Sequence, residues 1–203
     1  VWNFTPAGDR RADVGYQGLK NLGCICYMNA LMQQLYMTPN FRAGILSAPA
    51  LLQSDDPEAA RNSLLEQARR MFQHLRWSER RAYNPRPWCY AFKDAAGQPT
   101  NVLVQQDAEE FLQALCDRLQ VSLQSSPTHA KFVQGTIGGL LCNQLVLQQQ
   151  EGAALVRESD EPFYCIGLEV RHQGGLERSL SHFCQGQTVS GFKWDEQSDE
   201  RVT

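Results

Sequence analysis

Residues 21–39 read NLGCICYMNALMQQLYMTP. Two cysteines, Cys24 and Cys26, stand one residue apart, and behind them Met28, Leu31, Met32 and Leu35 fall at the i, i+3, i+4, i+7 spacing of a helix with one buried face. The spacing predicts a helix over 27–37, ended by Pro39. A thiol reacts as its thiolate, and the unpaired N–H groups of a helix N-terminus favour that anion. Cys26 stands immediately before the stripe, whereas Cys24 lies two residues further out in a turn that Gly23 makes possible. If one of the two is a nucleophile, it is Cys26. Cysteine is also among the residue types most often buried, so the pair reads equally well as packing until other features decide.

The whole chain has 203 residues, 42% hydrophobic and 20% charged, enough apolar mass for one sizeable core with a smaller lobe. A formal charge of -3 and the absence of any long Lys/Arg run argue against a nucleic-acid partner. No apolar run approaches the roughly 18 to 20 residues needed to cross a bilayer, and the opening VWNFTPAGDRRADVG lacks the pattern of a secretory signal. The expectation is no membrane partner and a cytoplasmic and/or nuclear location. A start at Val1 and a stop at Thr203, directly after an aromatic and acidic stretch, suggest a piece of a longer chain. The cysteine count, seven, is odd for a disulfide framework in a chain this long, so reduced thiols are expected. With no C-x-x-C pair, and with His74, His129, His172 and His182 at no ligand spacing, no metal and no cofactor are expected.

Further along, SDDPEAARN suggests a second helix, capped by Asp56 with Pro57 in its first turn and continuing through Leu64, Ala68, Met71, Phe72 and Leu75 to Trp77. Residues 78–100, rich in Pro, Gly and aromatics without a period, read as an ordered loop with short extended pieces. A third helix places Ala108, Phe111, Leu112, Leu115 and Leu119 on one face, with Pro127 closing the region. Asp107 and Glu110 form a D-x-x-E capping box at its start. After about residue 130 the segments FVQGTIGGLLCNQLVLQQQ, EPFYCIGLEVR and HFCQGQTVSGF favour strands. The expected class is α+β, a helical part over 1–130 followed by the start of a β-rich part over 131–203.

GLKNLGCICYMNALMQQL, residues 18–35, resembles the cysteine box of the ubiquitin-specific proteases, papain-like deubiquitinating enzymes whose pattern is GLxNxGxTCYMNSxLQxL. Gly18, Leu19, Asn21, Gly23, Cys26, Tyr27, Met28, Asn29 and Leu35 match, while Cys24 and Ile25 stand where the family often has Asn or Ala followed by Thr. The resemblance implies that Cys26 is the nucleophile and that Asn21 donates to the oxyanion. NVLVQQDAEEFLQALCDRL, residues 101–119, resembles the second family signature, QQDAxEFLxxLLDxL preceded by a short strand. It implies that Asp107, with Gln106 beside it, lines the cleft for the arginine-bearing ubiquitin tail, where carboxylate and guanidinium pair as charge-assisted hydrogen bonds.

The same resemblance makes the helical part a thumb and the β-rich part the start of fingers. The family's zinc ribbon is eroded here: Cys142 keeps one ligand position, Leu145 replaces its partner, and Trp194 and Gln197 occupy the second pair, so packing from Phe192 and Trp194 is expected in place of metal. No stretch resembles the late HxGxxxxGHY box that carries the catalytic base, so the segment is expected to be inactive by itself. The implied function is thiol-dependent hydrolysis of (iso)peptide bonds after the ubiquitin C-terminal glycine, with ubiquitin and ubiquitinated proteins as partners and the oligomeric state open. The alternative is a catalytically inactive ubiquitin-binding or scaffolding pseudo-protease. A redox role for Cys24 and Cys26 is disfavoured, because redox dithiols use C-x-x-C.

Overall fold

The computed structural model of the chain describes residues 10–48, 57–94, 96–147, 154–189, 192–193 and 201–202. By internal contacts the chain divides into two units, Val1–Cys165 and Ile166–Thr203. The first contains strand β1 (Gly18–Leu19), helices α1 (Cys26–Met37), α2 (Pro39–Ser47), α3 (Pro57–Asn62) and α4 (Leu64–Trp77), strand β2 (Ala82–Tyr83), helices α5 (Arg86–Ala91), α6 (Ala108–Leu123) and α7 (Phe132–Ile137), and strands β3 (Gly139–Leu147) and β4 (Leu155–Phe163). The second holds α8 (Leu176–Phe183) and an antiparallel pair, β5 (Phe192–Lys193) with β6 (Arg201–Val202).

In α1 the stripe is inward as its spacing requires: Met28, Met32 and Leu35 are buried, and Leu31 packs half-buried against the core. Pro39 does end α1, but it also opens α2, a helix absent from the sequence reading. Thr38 is extended, its N–H returns to Gln34 and Leu35, and the fixed φ of Pro39 suits a first turn. Phe41 and Ile45 then bury the inner face of α2. The single helix expected over 57–77 is two. Ser63 adopts an extended conformation and its Oγ accepts from the Glu66 N–H at 3.3 Å, so a new helix is capped where the old one stops. The Asp56 cap lies outside the described residues. Glu66 also bridges Arg69 at 2.6 Å and Arg70 at 2.8 Å along the outer face of α4.

The expected loop over 78–100 contains both β2 and the six-residue α5, whose Trp88 and Cys89 are buried. Asn84 Oδ1 accepts from Arg86 N–H at 3.1 Å at the start of α5, and one turn and a half is too short to show a period. In α6, Phe111, Leu115, Cys116, Leu119 and Leu123 form the inner face, while Ala108 is exposed. Residues 132–137, read as strand from their glycine and β-branched content, are the helix α7. Its Val133 is buried and the Phe132 ring stacks on Phe41 at 5.5 Å, so core contact overrides local preference.

β3 and β4 pair antiparallel from Gly139↔Phe163 to Leu147↔Leu155, with Gln144 Nε2 donating to Glu158 at 2.7 Å and Asn143 Nδ2 to Glu161 at 3.0 Å. The strand expected over EPFYCIGLEVR contributes only its first three residues to β4, and the one expected from His182 onward begins inside α8. The parallel β1–β2 pair, Gly18↔Ala82 and Leu19↔Tyr83, extends by a bond from Lys20 N–H to the Tyr83 carbonyl at 2.9 Å and pins the lead-in to α1.

Edge-to-face and tilted aromatic pairs tie these helices together: Tyr36 and Phe41 on Phe72, and Tyr27 and Phe92 on Phe111. Ser63→Ala is expected to cost about 1 kcal/mol by leaving the first turn of α4 without its cap. A urea titration should show a lower midpoint with an unchanged slope.

Candidate active site

Cys26 is the first residue of α1 and its side chain is exposed, while the residue before it, Ile25, is fully buried. The apolar anchor fixes the turn and directs the next residue outward. Ile25 offers no side-chain acceptor to the helix, and the first turn of α1 has no acidic residue. The N-terminal N–H groups beside the thiol are thus free of side-chain competition and present positive potential to an anion there.

The loop that leads into Cys26 is held from two sides. From within the cysteine box, Asn29 Nδ2 donates to the Lys20 carbonyl at 3.3 Å, and Asn21 Oδ1 accepts from Gly23 N–H at 3.2 Å. The Asn21 Nδ2 group has no partner among the described residues and remains an open donor. From the second box, the Val102 carbonyl accepts from Cys24 N–H at 2.7 Å. Gly23 has φ +151° and packs so closely on that carbonyl that a Cβ would collide with it. Val102 is itself set by a turn, not the expected short strand: Asn101 Oδ1 accepts from Leu103 N–H at 3.0 Å, and Thr100 Oγ1 donates to Phe92 at 2.7 Å. This clamp escaped the sequence reading because a main-chain carbonyl carries no residue signature; only the glycine hinted at close approach.

Asp107 caps α6. Its Oδ1 accepts from Glu109 N–H at 2.7 Å and Glu110 N–H at 3.3 Å, leaving Oδ2 without a partner among the described residues. Glu110 is exposed and returns no bond to residue 107, so only half of the capping box forms. Gln106 is exposed beside it. The two signature helices touch through Tyr27 and Phe111, whose rings meet edge to face at 5.5 Å. Asn21 and Cys26 therefore share one loop–helix junction, and the segment leading to Gln106 and Asp107 is bonded to that loop.

All seven cysteines are free. Cys89 and Cys116 are buried in the core, and burial pushes their thiols up to about 11 and about 12. Cys24, Cys142, Cys165 and Cys184 are exposed like Cys26, so helix position sets Cys26 apart. His74 is fixed by Gln17 Oε1 at 3.1 Å and by the Tyr83 ring at 5.0 Å, and burial, with Arg80 second, lowers its pKa. His129 is engaged by Ser126, Thr128 and Ser47. Neither is bonded to Cys26. His172 is exposed with φ 64°, and His182 faces Gln185 at 3.2 Å. Among the described residues no group of three or more His, Cys, Asp or Glu is placed to hold a metal ion, and no helix is long and apolar enough to cross a membrane. Cys142 stands opposite Asp160 in the hairpin; Trp194, Gln197 and the Phe192 side chain lie outside what is described.

A sequence profile of the ubiquitin carboxyl-terminal hydrolase family matches residues 17–200. The chain is similar to the ubiquitin carboxyl-terminal hydrolase puf of Drosophila melanogaster, 35% identical over 94% of this chain and 5% of that protein. It is similar to human ubiquitin carboxyl-terminal hydrolase 34, at 33% identity over 94% of this chain and 5% of the relative, and to mouse ubiquitin carboxyl-terminal hydrolase 24, at 30% over 100% and 8%. The chain thus spans a small fraction of the length of these relatives.

Gly23→Ala is expected to destabilise the chain by about 1 to 3 kcal/mol, since the backbone must leave its dihedral or push the Val102 carbonyl away. Hydrogen exchange should then speed up at the Cys24 amide before it does so in α4. The buried thiols set a second expectation. Above pH 9 the unfolded chain gives up the protons of Cys89 and Cys116 while the folded chain keeps them. Stability should therefore fall as pH rises through the window from about 9 to about 12. Cys89→Ala/Cys116→Ala should flatten that part of the profile, read by urea midpoints at each pH.

Proposed function

The chain belongs to the ubiquitin carboxyl-terminal hydrolase family, and from that premise we propose that it is the nucleophile-bearing part of a thiol-dependent deubiquitinase, with residues 1–130 as its thumb and 131–203 as the start of its fingers. The carrying observation is an exposed thiol as the first residue of a helix whose N-terminal turn no side chain caps, on the loop that presents the open Asn21 amide.

In this reading the Cys26 thiolate attacks the carbonyl carbon of the ubiquitin C-terminal glycine in an (iso)peptide bond. The carbonyl electron pair moves onto oxygen, where Asn21 Nδ2 and main-chain N–H groups at the start of α1 stabilise the oxyanion. Collapse expels the amine, which takes the proton from the imidazolium formed when a neutral imidazole deprotonated the thiol, and leaves a thioester that water hydrolyses to the ubiquitin carboxylate and the free thiol. His74 and His129 do not support that role, because neither is hydrogen-bonded to Cys26 and their bonds run to Gln17 and to Ser126, Thr128 and Ser47. The free Asp107 Oδ2 pairs with arginines of the ubiquitin tail, with Gln106 alongside.

The test uses the full-length protein and a ubiquitin whose C-terminus carries a thiol-reactive group. A covalent adduct at Cys26 is expected, and Cys26→Ser must abolish it. Asn21→Ala is expected to lower kcat about 10²- to 10³-fold with little change in KM. Ubiquitin binding without any adduct would instead identify a non-catalytic binding module.

A further inference from the structure

We propose that a groove at the far end of α1 from Cys26 binds an acidic peptide segment of a partner protein, one in which Asp or Glu residues flank an aromatic or large aliphatic side chain. The groove, about 720 Å³, lies between the 11–17 segment, the last turn of α1 and the end of α4. A rise of 1.5 Å per residue sets its α1 wall, Gln33 to Met37, about 10 to 16 Å along the helix from the thiol. It is a separate site, and the proposal does not depend on the chemistry at Cys26.

Its chemistry is one-sided. Among the described residues, Arg11, Arg42 and Arg76 line it and no acidic residue does, in a chain whose formal charge is -3. The flanking acids in sequence, Asp13 and Glu79, are not among its lining residues. The three arginines differ in availability. Arg11 is consumed locally: its guanidinium donates to the carbonyls of Gly15, Leu75, Arg76 and Ser78 and so closes the C-terminal end of α4. Arg42 donates one bond, from Nη1 to the Tyr36 carbonyl at 2.8 Å, and lies over the Tyr36 ring at 5.1 Å, which fixes its direction and leaves its other N–H groups without a partner among the described residues. Arg76 lies over Trp77 at 5.6 Å and makes no bond to a carboxylate among the described residues. Two guanidiniums are held by ring stacking, which preorganises them without neutralising their charge.

The apolar half of the site is likewise exposed among the described residues. Trp77 is 61% exposed, Tyr16 63% and Met37 45%, all on this groove. An aromatic, a phenol and a flexible thioether around one cleft form a surface suited to an inserted aromatic or aliphatic side chain. Carboxylates to either side then reach Arg42 and Arg76 as charge-assisted bonds, which exclude a basic or purely apolar segment.

The probe is a fluorescein-labelled peptide with a Phe and a Leu set among Asp and Glu residues, against a control of equal length with Lys at each acidic position. Anisotropy at low salt is expected to show saturable binding of the acidic peptide and none of the lysine control, weakening as salt rises. Arg76→Glu and Trp77→Ser are each expected to weaken binding about tenfold. Arg42→Gln should do the same, and because Arg42 also braces the α1–α2 corner, the exposed Arg76 variant decides if that one fails to fold. Equal binding of both peptides, an unchanged affinity in Arg76→Glu, or a self-associated chain that Trp77→Ser returns to monomer would overturn the proposal.

Discussion

The hydrogen bond from the Cys24 N–H to the Val102 carbonyl, with Gly23 folded flat against that same carbonyl, is the constraint on which the site depends. It joins two segments about eighty residues apart in sequence. One leads into the helix that begins with Cys26, and the other leads into the helix that Asp107 caps. Without it, the loop bearing Asn21 would be fixed at its β1 end, by Asn29 and by the buried Ile25, but would have no direct main-chain bond to the segment that leads into α6.

The clamp works because both segments are rigid where they meet. The turn at 100–103 is closed by its own Asn101 and Thr100 side chains, so the Val102 carbonyl points one way. On the other side, burial of Ile25 leaves the chain little freedom to rotate Cys26 inward. Behind both, the Tyr27–Phe111 and Phe92–Phe111 contacts keep α1 and α6 at fixed spacing. Electrostatics follow from the same arrangement. A thiol sunk in the core, as at Cys89, is held neutral by desolvation; one lifted to the mouth of a helix stays in water beside unpaired N–H groups. Burial chooses which sulfurs are inert, and the helix end chooses which exposed one is favourably placed.

Long elements with clear periods were legible. The stripe of α1 and the inner face of α6 occupy the positions their spacing demands, apart from Ala108, which falls before the helix turns inward. Asp107 could be read as a cap because capping is a local rule. The misses have local causes as well. Pro39 carries two meanings, end and beginning, and the sequence around it favours neither. Ser63 splits what reads as one helix, since it is the single residue between the end of α3 and the start of α4 and its cap is a matter of backbone conformation. The helix α7 looks like a strand by composition and becomes a helix because Val133 and Phe132 meet the core in that form.

The sequence by itself determined the family signatures, the candidate nucleophile, the cap at Asp107 and the two principal helices, because each depends on residue types within a few turns of one another. Only the tertiary structure decided that the two signatures are clamped to one another, that the oxygen of Asn21 is spent on Gly23, that Cys89 and Cys116 are buried, and that Arg42 and Arg76 face a groove that no carboxylate among the described residues lines. Those facts turn on which main-chain carbonyl, ring or solvent a group meets after the chain has closed on itself, and distances across eighty residues are not encoded in any local pattern.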